Sequence, residues 1–92
     1  GIFVEVLKDV SFRIAPIGIY SVRRMIQSIK SYKLLTSVRG KKAKDIESLT
    51  KTIQRLSQLA VSCPQIKELD INPLIVLEEG KGCYVADAKI ML

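Results

Sequence analysis

The chain has 92 residues, 48% of them hydrophobic and 26% charged, with a formal net charge of +6. That composition fits one small globular domain or a piece of a larger one and excludes a disordered tail, and no apolar run is long enough to cross a membrane as a helix. Histidine is absent and the cysteines are only Cys63 and Cys83, which excludes nitrogen-rich and four-cysteine zinc sites.

Residues 2–15 come first in chain order. Ile2, Val4, Val6, Val10, Phe12 and Ile14 are apolar on even positions, while Glu5, Asp9, Ser11 and Arg13 stand on odd ones. This period of two predicts β structure. Strands seldom exceed about ten residues, so a hairpin turning at Lys8-Asp9, or a bent strand, is expected, ended by Pro16. The alternation has already begun at Gly1, and Glu5 comes too early for a signal peptide, so the start reads as a chain entered in mid-domain.

Ile19, Val22, Ile26 and Ile29, flanked by Met25 and Tyr32, predict an amphipathic helix over 19–35. A basic loop with Arg39, Lys41, Lys42 and Lys44 follows. Asp45 is placed to cap a second helix, in which Ile46, Leu49, Ile53, Leu56 and Ala60 repeat up to Cys63 before Pro64 stops the run. Residues 66–77 and 82–91 read as β again, joined by E-E-G-K-G. The order β, α, α, β-hairpin predicts an α+β fold, a small antiparallel sheet with two helices on one face. Val10, Phe12, Ile26, Ile29, Leu49, Ile53 and Leu56 are the expected core. Cys63 and Cys83 read as small buried hydrophobes, unpaired, in a reducing compartment; the cytoplasm is expected.

The charge is uneven. Residues 21–55 hold ten basic and two acidic side chains, whereas residues 56–92 hold three basic and five acidic. A basic middle can face phosphate, and an acidic end can face a cation.

The stretch E-L-D-I-N-P-L, Glu68 to Leu74, sets Asp70 and Asn72 two apart, which in a strand is one face. A turn centred on Glu79-Gly80 would place Leu77 opposite Gly82, Val76 opposite Cys83 and Asn72 opposite Asp87. One amide oxygen and two carboxylates would then converge, a set suited to Mg2+ held against phosphate. The same residues also suit a strand-entry turn, because Asp and Asn before Pro favour turns. Residue pattern alone leaves both readings open.

The stretch from Glu68 to Ile90, E-L-D-I-N-P-L-I-V-L-E-E-G-K-G-C-Y-V-A-D-A-K-I, resembles the closing segment of the ATP-grasp domain of NDP-forming acyl-CoA synthetases. That family includes ADP-forming acetate–CoA ligase and is related to the succinyl-CoA synthetase beta subunit. The opening G-I-F-V-E-V-L-K-D-V-S-F-R-I-A-P resembles the preceding strand pair. L-L-T-S-V-R-G resembles the inter-helix loop, where a Gly usually stands at the place of Ser37. The resemblance spans essentially all 92 residues and implies that the chain is the second, C-terminal half of an ATP-grasp domain. It implies the interconversion of acyl-CoA, phosphate and ADP with acid, CoA and ATP, through an acyl phosphate and a phosphohistidine. It implies Asn72 and Asp87 as Mg2+ ligands and links Asp70 to the phosphohistidine segment; the succinate enzyme has Glu there. Arg13 is the candidate cation for phosphate, with a cross-strand partner role beside Glu5 or Asp9 as the alternative. Glu5 and Arg39 are candidates at the nucleotide, although a solvated loop is the favoured reading of the latter.

The resemblance further implies missing pieces. The first ATP-grasp half and a CoA-binding, phosphohistidine-bearing subunit or domain are the expected partners, with nucleotide and acyl-CoA as substrates and no membrane. The chain alone is expected to be inactive. The rival is a nucleic-acid-binding module built on the basic middle. At 5% aromatic residues and without a Gly-aromatic RNA motif, that rival is disfavoured. A third reading is a structural or regulatory piece that docks onto the absent half.

Overall fold

A computed structural model describes residues 9–37 and 39–92. Its elements are α1 (Ile19–Ser28), a 3-10 helix (Lys30–Leu35), α2 (Ile46–Ser62), and the strands β1 (Glu68–Ile71), β2 (Leu74–Val76), β3 (Cys83–Val85) and β4 (Ala88–Met91). The class is α+β, as the order of sequence patterns predicts.

Val22 and Ile26, four residues apart on one face of α1, are the buried hydrophobic side chains among the described residues. The expected helix over 19–35 is divided at Ile29, whose backbone is extended (φ −76°, ψ 148°). The division is caused by a residue distant in sequence. The Asp9 carboxylate accepts from the N–H groups of Lys30 and, at 3.0 Å, Ser31, so a new helical turn begins there with its own cap. The Ser28 hydroxyl donates to the Met25 carbonyl (2.7 Å) and closes the turn before the break.

In α2, Asp45 accepts from the Ser48 N–H at 3.0 Å, and Glu47 sits in the first turn, where the helix dipole favours an anion. The helix ends at Cys63, one residue before Pro64, which could not continue it. The small polar side chains Thr50 and Ser57 lie deepest on this helix, and the expected Ile46, Leu49, Ile53 and Leu56 flank them half-buried. Both hydroxyls are satisfied: Thr50 donates to the Ile46 carbonyl (2.7 Å), and Ser57 accepts from the Ile17 N–H (2.7 Å). α2 packs against α1 on one side and touches β2 on another.

Residues 9–14 form no strand, and residues 2–8 of the expected β segment lie outside the described residues. Val10 is 46% and Phe12 81% exposed, so neither takes its expected place in the core. Alternation reports what a segment can pair with; no ladder partner for 9–14 exists among the described residues.

The hairpin keeps one register from end to end. β1 pairs antiparallel with β4 from Glu68↔Met91 to Ile71↔Ala88, and β2 with β3 from Leu74↔Val85 to Val76↔Cys83. It forms two two-stranded ladders because Pro73, joined to Asn72 by a cis peptide, has no N–H to donate. Across the gap, the Asn72 N–H donates to the Asp87 carbonyl and the Ala86 N–H to the Pro73 carbonyl, both at 3.0 Å. The turn closes with Lys81 N–H to Glu78 carbonyl (2.9 Å), and Gly80 takes φ +84°, the sign a type II turn needs at that position. The far end of β2 is gripped on its other edge: Lys44 bridges Glu78, the Asp45 N–H donates to the Leu77 carbonyl (2.8 Å), and the Glu79 N–H donates to the Ala43 carbonyl (2.9 Å).

Candidate functional site

Asn72 and Asp87 meet at the interruption between the two ladders, in the register expected for a turn at Glu79-Gly80. Both are exposed, so the amide oxygen and the carboxylate are open to an incoming ligand. Burial alternates along β1, with Glu68 and Asp70 on the outer face and Leu69 and Ile71 half-buried. Asp70 stands opposite Lys89. Among the described residues these two form no ion pair, which leaves the Asp70 carboxylate available.

Among the described residues no three Cys, Asp or Glu side chains converge closely enough to cage a metal. One carboxylate and one amide at Asp87 and Asn72 fit Mg2+, which keeps several waters and leans on substrate phosphate. They do not fit Zn2+, which needs four close protein ligands in a structural site.

Asp45 holds this hairpin to the helices. Its second carboxylate oxygen accepts from the N–H groups of Gly80 (3.1 Å) and Gly82 (2.7 Å), while the first caps α2. Gly82 has φ +81°, a conformation that turns its N–H toward the carboxylate and suits glycine. The bonds from the Ser48 and Gly82 N–H groups, helped by the Ser48 hydroxyl and the Gly80 N–H, outweigh desolvation and hold the Asp45 carboxyl below its ordinary range. The Asp9 carboxyl is also lowered, first by the Ser31 hydroxyl, then by the Lys30 and Ser31 N–H groups, against desolvation.

The remaining candidates are dispersed. Arg13 is exposed, and its guanidinium donates to the Ser11 hydroxyl (3.1 Å) and the Phe12 carbonyl (2.7 Å). The expected alternative partner, Asp9, is engaged with the 3-10 helix instead. Glu5 lies outside the described residues. Arg39 sits in an exposed turn with φ +52° and lines a basic pocket with Lys33, Lys41, Lys42 and Lys44. No hydrogen bond among the described residues ties Arg13 or Arg39 to Asp70, Asn72 or Asp87.

Cys63 and Cys83 are free thiols, as expected, and half-buried. The Cys83 sulfur lies 3.2 Å from the Thr52 hydroxyl. The helix-capping role of Asp45 is legible from its place before an apolar repeat. Its grip on Gly80 and Gly82 is not, because it spans thirty-five and thirty-seven positions with no local signature. Asp9 as a cap on residues 30 and 31 is equally hidden.

The family model described as "ATP-grasp domain" matches residues 1–92. The chain is 54% identical over 92 residues to an ADP-forming 4-hydroxybutyrate–CoA ligase of Nitrosopumilus maritimus, covering 100% of this chain and 13% of that protein. It is 46% identical to the beta subunit of ADP-forming acetate–CoA ligase I of Pyrococcus furiosus, covering 100% of this chain and 39% of the subunit. The dinucleotide-forming acetyl-coenzyme A synthetase 1 of Ca. Korarchaeum cryptofilum, solved with coenzyme A and Mg-AMPPCP, superposes with a TM-score of 0.89. It is 41% identical and covers 100% of this chain and 42% of that one; its phosphohistidine segment points towards the nucleotide binding site. The chain therefore spans well under half the length of these relatives.

Proposed function

The chain belongs to the ATP-grasp domain family, and on that premise we propose that it forms the C-terminal half of such a domain and supplies the Mg–phosphate side of the nucleotide site in an ADP-forming acid–CoA ligase. The observation that supports this reading is the hairpin register, in which the Asn72 N–H meets the Asp87 carbonyl, with Asp70, Asn72 and Asp87 all exposed. In this reading Asn72 and Asp87 hold Mg2+. When bound, the ion neutralises charge on the phosphoryl group in transit between ADP/ATP and the acyl phosphate or phosphohistidine, which is most of what such transfer needs. The Asn72 amide supplies a neutral oxygen and Asp87 a charged one. Asp70 meets the segment that carries the phosphohistidine. Arg13 contacts phosphate from the opening segment, and Glu5 lies toward the nucleotide.

The chain has no histidine, so the phosphorylated imidazole comes from another segment or subunit, as does the first half of the nucleotide site. The chain alone is therefore expected to be inactive. The named relatives are CoA ligases and an acetyl-CoA synthetase, and they lend no support to the nucleic-acid reading.

The test is a chimera in which this chain replaces the matching stretch of the Pyrococcus furiosus beta subunit, assayed in the assembled enzyme for ATP formation from acetyl-CoA, phosphate and ADP. Asp87→Asn, which removes a charge and nearly keeps volume, lowers turnover by about 100-fold, on the scale of losing a principal electrostatic stabiliser, with Tm nearly unchanged. Full activity in Asp87→Asn, against an active parent chimera, removes Asp87 from the site.

A further inference from the structure

A second concave surface lies at the turn end of the hairpin. It is a pocket of about 880 Å³ lined by Lys33, Arg39, Lys41, Lys42 and Lys44, with Glu78 as the lone acid among the described residues. Among the described residues the ion pair present is Lys51 with Glu47, on α2, so these five cations go without a carboxylate partner there. Like charges gathered in one concavity repel each other, and the fold does not spread them. It fixes the backbone that carries them. The Lys44 N–H donates to the Leu35 carbonyl at 2.8 Å, and Lys44 bridges Glu78. The Ser37 hydroxyl donates to the Lys41 carbonyl at 2.9 Å. Between these ties Arg39 takes φ +52°, sparsely populated by residues with a side chain and concentrated at functional sites.

We propose that this pocket binds a small ligand carrying two or more phosphate groups, at a site separate from the Asn72–Asp87 pairing. The volume lies within the range of small-molecule sites, about 300–1,000 Å³. Lysine ammonium groups and an arginine fork are the side chains that take phosphate, as point charges and bidentately. Leu34, 72% exposed at the rim, offers an apolar ledge for an organic part of the ligand. No aromatic side chain among the described residues lines the pocket, so they supply no stacking platform of the kind a single-strand nucleic-acid site uses. Glu78 is six positions from Asn72, roughly 20 Å of extended chain, so one compact phosphate cannot span both places.

The experiment is calorimetric titration of the full chain in EDTA with inorganic phosphate, pyrophosphate, ADP and coenzyme A, repeated on the chimera. Pyrophosphate binds at least about ten-fold more tightly than inorganic phosphate, as two charge-assisted contacts exceed one. Tighter binding of ADP identifies a nucleotide, tighter binding of coenzyme A identifies that cofactor, and equal binding identifies the phosphates alone. Each of these supports the site. The double change Lys41→Ser with Lys42→Ser, at two exposed positions, weakens binding about ten-fold or more. Asn72→Ala with Asp87→Ala leaves it unchanged, which separates this site from the metal reading. Lys51→Ser with Arg55→Ser, an equal change of charge on α2, also leaves it unchanged. The proposal is overturned by the absence of saturable binding, by an equal loss in the α2 control, or by a single-stranded RNA displacing pyrophosphate more effectively than ADP or coenzyme A.

Discussion

The hairpin Glu68–Met91 and the segment Asp9–Ala15 carry the same kind of apolar alternation and meet different ends. In the hairpin every strand has a partner a short turn away, and β2 is half-buried throughout. In the segment, Phe12 is 81% and Ile14 92% exposed. Closing the hairpin fixes only a two-residue turn, and its loop-closure cost is small. The Asp45 carboxylate then clamps the turn onto α2. Segment 9–15 is held at its ends by polar contacts, the Asp9 carboxylate on the 3-10 helix and the Ile17 N–H on Ser57, while its apolar side chains stay outside. Alternation therefore records a capacity for pairing, and a neighbouring strand decides whether it is used.

That comparison can be sharpened by substitution. Val22→Ala cuts into the small core and costs about 2 kcal/mol, near the low end for large-to-small core changes, read as a lowered urea midpoint at unchanged slope. A cost near zero would show that the helix pair is not where this chain keeps its stability. Gly82→Ala should cost about 1–2 kcal/mol from φ +81° alone. An added Cβ would meet the Ser48 hydroxyl at an ordinary 4.0 Å, so crowding adds nothing. A neutral outcome would mean the Asp45 clamp tolerates another turn.

Acid is a third probe. The Asp9 and Asp45 carboxyls have folded values below the unfolded one, near 4. Their contribution is complete above that value and is lost as pH falls through the folded values. Urea midpoints at pH 7, 4 and 3 should fall, and Asp45→Asn should flatten the fall. An undiminished acid slope in the variant would place the sensitivity elsewhere. The smallest effect is expected at Phe12→Ser, within about 0.5 kcal/mol, as for exposed positions generally. A loss of 2 kcal/mol would show Phe12 packed in solution.

The hairpin was the legible part because its determinants are local. Gly80 and Gly82 mark the turn, and period-two alternation on both sides sets Asn72 against Asp87. The second helix was legible through Asp45 and Pro64 for the same reason. What stayed hidden depends on groups far apart in sequence. Asp9 divides the first helix from 21 positions away. Thr50 and Ser57 occupy the deepest places on α2 because α1 and Ile17 come to meet them, which no helical stripe announces. The run of Lys41, Lys42 and Lys44 was visible as charge, but its concavity depends on the bridge from Lys44 to Glu78.

The central claim is that Asn72 and Asp87 form a metal–phosphate site. The most direct measurement replaces Mg2+ with paramagnetic Mn2+, added with ADP to the isotopically labelled chain, and follows amide signal loss by NMR. The account predicts that the amides of Ile71, Asn72, Asp87 and Ala88 broaden first and that Asp87→Asn abolishes the effect. Broadening that leaves Ile71, Asn72, Asp87 and Ala88 sharp, or a pattern around them unchanged in Asp87→Asn, would contradict it.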